Sequence, residues 1–311
     1  MGKKLVMDSA PLVSVLMNCF NGEKYLREAI DSVINQTYQN WEIVFWDNAS
    51  TDNSASIAKS YDERIKYHLA SETTPLGKAR NFGLKYCKGK YIAFLDTDDI
   101  WLPDKLQLQV QLMESNDKYA LCYGSSITSD EHGNKIRDRR VKNTSGFIFG
   151  ELLKQYEINM QSVMLRTEIL KSSGLHFDES LQYCPDYQLF MEIASRYSIG
   201  VIADNLVKYR ISSNSLSSKT IHIAPSETAY VLDKIIEHYP DIQPKYHDEF
   251  KQAYAKTIYY SAISSMYKFN RRQAISSMMN IIFIRYEYFL IFFLLLLPVK
   301  IKFILKLLGR K

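Results

Sequence analysis

Three short apolar runs early in the chain each stop at a polar cluster, and this pattern constrains the fold more than any other feature. Leu12–Met17 ends at Asn18, Trp41–Trp46 at Asp47, and Tyr91–Leu95 at Asp96, with a further short run at Ile65–Leu69. Between them lie Glu23–Ile34, Ser54–Ser60 and Gly77–Cys87, whose patterns are helical. The runs predict strands and the spaced segments predict helices. Strands alternating with helices at this pitch pair in parallel within a doubly wound α/β sheet. Ligands bind such sheets at the carboxyl ends of the strands. The clusters beginning at Asn18, Asp47 and Asp96 therefore converge on one crevice.

The chain has 311 residues, 46% hydrophobic and 23% charged, enough for one large α/β domain and an appendage around a real core. A net charge of +5 suits a protein that meets anionic partners without being a dedicated nucleic-acid binder, so no nucleic-acid partner is expected. Cys19, Cys87, Cys122 and Cys184 lie far apart with no C-x-x-C pair, which signals neither a zinc site nor a disulfide framework. Reduced thiols in a cytosolic setting fit that spacing. Met1–Ala10 carries two lysines and too short an apolar stretch for a signal peptide, so secretion is not expected. Ala120–Tyr209 mixes short strands and helices, with turns at Ser129–Asn134 and Lys142–Gly146, and reads as the second half of the same domain. Ser226–Ile284 turns helical, with breaks at Pro240 and Pro244.

Asp96-Thr97-Asp98-Asp99 places up to three carboxylates where the backbone leaves a buried strand. Like charges that close are costly unless a cation neutralises them. Hard oxygen ligands favour Mg²⁺ or Mn²⁺, and a diphosphate can complete the shell. The alternative is that Asp99, Pro103 and Asp104 start the helix running on from Lys105. Asp47 ends a strand, where an acid can bind a base or ribose or simply make a turn. Arg80, in Gly77-Lys78-Ala79-Arg80-Asn81, opens a helix, an end at which a cation gains nothing from the dipole. It reads either as a partner for an anion such as a phosphate or as a solvated surface side chain. Asp186, in Pro185-Asp186-Tyr187, is either the cap of Leu189–Tyr197 or a general base. The six histidines have no ligand spacing.

Taken in order, Val13-Ser14-Val15-Leu16-Met17-Asn18-Cys19-Phe20-Asn21, the Asp47–Asp52 run, Gly77-x-x-Arg80-Asn81-x-Gly83, Asp96-x-Asp98-Asp99 and Pro185-Asp186-Tyr187 resemble the family 2 glycosyltransferases of the GT-A fold. The resemblance covers about the first 220 residues. It implies an inverting enzyme with a nucleotide-sugar donor, a divalent metal (Mn²⁺ or Mg²⁺) and a mixed α/β sheet flanked by helices. Uridine is the family's commonest base, so a UDP-sugar is the expected donor. By the same resemblance Cys19, Phe20, Asn21 and Asp47 would hold the base and ribose, and Arg80 would lie near the base or diphosphate. Asp96 would contact the ribose side, Asp98 would bind the metal, and Asp186 would be the general base. The implied division is a catalytic domain at 1–220, with a nucleotide-sugar half at 1–119 and an acceptor half at 120–220, then a helical region at 221–285 and a tail at 286–311.

The chain departs from the family pattern at three places. Asn18-Cys19 stands where Pro-Thr is usual, and Pro185 stands where an acid usually precedes the base. Tyr209-Arg210 is followed by Ser212 where many relatives have a histidine, which would pass more of the diphosphate contact to Arg210. There is no Q-x-x-R-W string, the mark of polymer-forming relatives, so transfer of a single sugar is expected. Two competing readings are a sugar-phosphate nucleotidyltransferase, which would want a Gly-rich basic loop absent from Asn18–Lys24, and a non-catalytic subunit that retains the fold.

Tyr288–Val299 is apolar for about a dozen residues, short of the roughly 20 needed to span a bilayer, and Pro298 interrupts it. Lys300–Lys311 then alternates cations with bulky apolar residues, as interfacial helices on anionic leaflets do. The expectation is peripheral attachment to the cytoplasmic face of the membrane, bringing the crevice to a glycan or glycolipid acceptor. The alternative is a core-packing helix with a solvated basic end.

Overall fold

The computed structural model describes residues 10–211, 219–268, 270–298, 300 and 304. The chain divides into two compact units, Met1–Ile148 with Glu157–Ser215, and Phe149–Tyr156 with Leu216–Lys311.

The first unit begins with alternating strands and helices: β1 (Val13–Cys19), α1 (Glu23–Ile34), β2 (Trp41–Asp47), α2 (Ser54–Lys59), β3 (Ile65–Leu69), α3 (Leu76–Leu84) and β4 (Tyr91–Phe94). These four strands are parallel, with Val13 opposite both Trp41 and Tyr91, and Ile43 opposite Ile65. The rest of the unit is β5 (Ile100–Trp101), α4 (Lys105–Ser115), β6 (Tyr119–Ser129), β7 (Lys135–Arg139), a 3₁₀ turn (Met160–Ser162), β8 (Met164–Arg166), α6 (Thr167–Ser173), α7 (Pro185–Arg196) and β9 (Ser198–Arg210). One mixed sheet runs β3-β2-β1-β4-β8-β6-β9-β5, with β7 paired to β6. Antiparallel β8 is the joint between the parallel strands and the later part of the sheet. The inner strands are buried on both faces, which is why they read as nearly continuous apolar runs. Val15, Met17, Ile43 and Phe45 belong to a core shared with Leu26, Ala29 and Ile30 of α1.

The helix after the acidic cluster begins only at Lys105, and β5 lies in between. Asp104 occupies its N-cap position but makes no side-chain cap bond, and its carboxylate instead accepts from the Thr37 hydroxyl at 3.0 Å. The helix start therefore does not account for Asp96, Asp98 or Asp99.

Lys105 is fully buried, with Nζ donating to Gln109 Oε1 at 2.6 Å and lying 3.8 Å from the Trp101 ring centroid. Burial pushes its pKa down to about 7. A lysine depressed in the fold contributes most above its unfolded pKa near 10.5, and that contribution is lost as pH falls toward 7. Lys105→Met removes this penalty and keeps contact with the indole. It is expected to raise stability by about 1–3 kcal/mol at pH 7, with the gain shrinking toward pH 10, as denaturant unfolding at both pH values will measure.

The second unit takes α5 (Phe149–Lys154) from mid-chain and adds α8 (Ala224–His238), α9 (Ile242–Lys245), α10 (His247–Tyr267), α11 (Arg271–Met279) and α12 (Tyr286–Leu296). Phe149 packs edge-on against Tyr246 and Phe250, which explains why α5 joins these helices. A core of Ile263, Met266, Met278 and Ile281 receives Tyr288, Ile291 and Leu295 from α12. No helix among the described residues is long and apolar enough to cross a membrane.

Candidate functional site

Three loops at the carboxyl ends of β1, β2 and β4 are joined by hydrogen bonds and close contact. The Asn21 N–H donates to Ser50 Oγ and the Gly22 N–H to Ser54 Oγ, both at 3.0 Å. Asp52 caps the first turn of α1 by accepting from the Glu23 N–H, while Glu23 accepts in return from the Asn53 N–H ahead of α2. A Cβ on Gly22 would stand 2.7 Å from Thr97 Oγ1, so a side chain there would have to displace the Thr97 side chain of the acidic loop. Asn21 and Ala49 both have positive φ, 52° and 63°, a conformation that costs alanine roughly 1–2 kcal/mol.

The expected nucleotide residues separate by depth. Phe20 is 54% exposed at the loop tip, whereas Cys19 is buried beneath it. Asp47 is also fully buried. Its Oδ1 accepts from the Ser50 N–H at 2.8 Å and its Oδ2 from the Tyr67 hydroxyl at 2.7 Å, so it braces the loop from below. Tyr67 was not marked by the sequence, because its link to Asp47 spans two strands.

Asp96, Asp98 and Asp99 form the acidic centre. Burial and the neighbouring Asp96 charge push Asp98 up to about 6. Asp99 is buried and raised well above the carboxylate range, first by burial and then by Asp98 and Asp96. Its Oδ1 accepts from the Arg210 N–H at 2.7 Å, while its Oδ2 is buried without a partner. Arg80, nearly fully buried at the start of α3, faces the acids rather than solvent, with Nη2 3.3 Å from Asp96 Oδ1. Gln161, unmarked in the sequence, holds the other oxygen, donating from Nε2 to Asp96 Oδ2 at 2.6 Å.

Asp186 is the second residue of α7, whose N-cap is Cys184, so the capping assignment is replaced. Burial raises its pKa, and the nearby Arg80 charge opposes that rise. Asp186 thus shares Arg80 with Asp96.

Arg210, expected at the diphosphate, lies against the acidic loop. Its side chain is 3% exposed and is engaged inward: Nε donates to the Asp98 carbonyl at 2.9 Å, Nη1 to the Glu131 carbonyl at 2.8 Å, and Nη2 pairs with Glu28 at 2.9 Å. The guanidinium lies 4.0 Å from the Tyr25 ring centroid. It ties the acidic loop to α1 and to the β6–β7 turn. Ser212 lies outside the described residues.

Among the described residues no group of three or more His, Cys, Asp or Glu side chains could hold a metal ion unaided. The raised carboxyls and the unpartnered Asp99 oxygen nevertheless fit a hard divalent cation whose remaining ligands come from a diphosphate and water.

The glycosyl transferase family 2 profile matches residues 14–170. The UDP-Glc:alpha-D-GlcNAc-diphosphoundecaprenol beta-1,3-glucosyltransferase WfgD of Escherichia coli is 32% identical over 216 residues, covering 67% of this chain and 80% of that protein. An uncharacterized glycosyltransferase of Rickettsia bellii is 33% identical over 243 residues, or 75% of this chain, and the chain spans 34% of that relative's length. Among solved structures, a mannosyltransferase from Pyrobaculum calidifontis in complex with GDP-Man and Mn²⁺ superposes with a TM-score of 0.61 at 17% identity, covering 88% of this chain and 76% of that one. That likeness gives the fold, a GT-A-type mixed sheet flanked by helices, and the sequence match gives the family: the chain belongs to glycosyl transferase family 2.

Proposed function

We propose that the chain is an inverting glycosyltransferase that moves a single sugar from a UDP-sugar to a hydroxyl of a lipid-linked or cell-surface glycan. The observation that carries this reading is the Arg80–Asp96 ion pair beside the Asp98 and Asp99 carboxyls, with the buried Asp186 near enough to feel the charges of both Arg80 and Asp96. In a single displacement the acceptor oxygen bonds to the anomeric carbon while the bond to the nucleoside diphosphate breaks on the opposite face. Asp186 takes the proton from the attacking hydroxyl, and its raised pKa brings it closer to the working pH of a general base. Phe20 and Asn21 form the wall against the base, and Cys19 and Asp47 support it from beneath. Arg80 supplies positive charge beside the diphosphate. Asp98 would hold Mn²⁺ or Mg²⁺, which would stabilise the charge gathering on the departing diphosphate. The test is a panel of nucleotide sugars incubated with Mn²⁺, read as nucleoside diphosphate released. Turnover of one or more sugars, increased by a glycolipid acceptor, supports the reading, and no turnover of any removes it.

A lipid-linked acceptor is supported by the printed activity of the Escherichia coli relative and by the second unit. α12 buries Tyr288, Ile291 and Leu295 but exposes Phe289, Leu290, Phe293 and Leu296, beside Tyr286 and an 89% exposed Phe283. One face thus packs in the core, and we infer that the other, an exposed apolar surface, meets the headgroup region of an anionic leaflet on the cytoplasmic side. Exposed Arg272 and Lys300 add positive charge to that unit, while Lys302, Lys306, Arg310 and Lys311 lie outside the described residues. Replacing both Leu290 and Phe293 by Ser leaves the buried face intact. This variant is expected to cut binding to phosphatidylglycerol vesicles by about tenfold or more at unchanged Tm, as cosedimentation will measure.

A further inference from the structure

We propose that Gln161 is a positioning residue for donor binding and acts through Asp96, an inference that rests on the reading of Asp96 as a donor contact. The Asp96 carboxylate is 37% exposed at the crevice, where a side chain of this kind would ordinarily turn about its terminal bond. Gln161 prevents this from a site that is itself 3% exposed. Its amide makes a reciprocal pair: Nε2 donates to Asp96 Oδ2 at 2.6 Å, and Oε1 accepts from the Asp96 N–H at 2.7 Å. With Arg80 on Oδ1, each carboxylate oxygen has a charge-assisted bond, so the plane of the group is fixed while an exposed edge stays open to a ligand.

Gln161 is held firmly in its turn. Asn159 Oδ1 caps the 3₁₀ turn by accepting from the Gln161 N–H at 2.9 Å, and the next carbonyl, that of Ser162, accepts from Gln109 Nε2 at 2.8 Å. Gln109 is buried and is fixed in turn by Lys105. An amide is the group this site needs, because it donates with one atom and accepts with the other. A glutamate would set two carboxylates against each other, and a leucine would make neither bond.

The test is UDP binding in the presence of MgCl₂, measured by calorimetry for Gln161→Leu, Gln161→Glu, Asp96→Ala and the double variant Asp96→Ala/Gln161→Leu, with Tm read for each. Gln161→Glu keeps an acceptor for the Asp96 N–H and so guards against loss of folding in the leucine variant. Both single Gln161 variants are expected to weaken UDP about tenfold, and Gln161→Leu is expected to add nothing once Asp96 is alanine. Unchanged UDP affinity in both Gln161 variants, or an equal loss with and without Asp96, overturns the inference. Unchanged affinity in Asp96→Ala instead overturns the reading of Asp96 on which it rests.

Discussion

Asp98→Ala is expected to abolish sugar transfer, by about a thousandfold or more, while the protein keeps its fold and a Tm at or slightly above that of the parent. Asp98 lies in the loop between β4 and β5 and caps no helix, so little in the fold depends on its carboxylate. Burial and the Asp96 charge already push it up to about 6, which means that the folded chain holds its ionised form at a cost. Alanine relieves that cost in the resting protein. It also removes the group assigned to a divalent cation, and with it the stabilisation of charge on the leaving diphosphate. Transfer assays alongside thermal unfolding check both halves. Near-parental turnover from folded Asp98→Ala protein would remove Asp98 from the chemistry.

Asp186→Asn is expected to lower kcat by about 100-fold or more with donor binding retained. The substitution keeps size and polarity in the first turn of α7 and takes away only basicity and charge. Because burial raises the Asp186 pKa, the acid limb of the kcat profile should lie above that of an ordinary exposed aspartate. Turnover should fall as pH drops through that limb, where the carboxyl carries its own proton and cannot accept another. The limb should vanish in Asp186→Asn. If kcat survives in the variant, or if its loss follows a loss of Tm, Asp186 serves only the helix.

The parallel half of the sheet was legible because β1, β2 and β4 are short apolar strands separated by helical patterns, a local signal that survives without tertiary information. The later half was less so. β6 carries Ser125, Ser126, Thr128 and Ser129 among its buried positions, and β8 has three residues, so neither shows a clear period. α5 joined the helical unit through aromatic contacts with residues about a hundred positions away, which no local pattern announces.

The candidate site divides in the same way. Asp96, Asp98 and Asp99 stood out as a cluster at a strand end, and Asp186 stood out by its match to a family motif. Gln161 and Tyr67 did not, since each is defined by a partner in another element. The contacts of Arg210 were hidden for a related reason. The absence of a nearby histidine suggested a task at the diphosphate, but Glu28 and two backbone carbonyls, brought close only by folding, already occupy its guanidinium.

A crystal of the full chain grown with UDP and MnCl₂, with an anomalous difference map collected at the manganese edge, tests the central claim most directly. A manganese peak at the Asp98 carboxylate, joined to a diphosphate whose nucleoside lies against Phe20 and Asn21, is the predicted result. UDP bound elsewhere on the chain, or a nucleotide in the crevice with manganese on residues other than the acidic cluster, would contradict it.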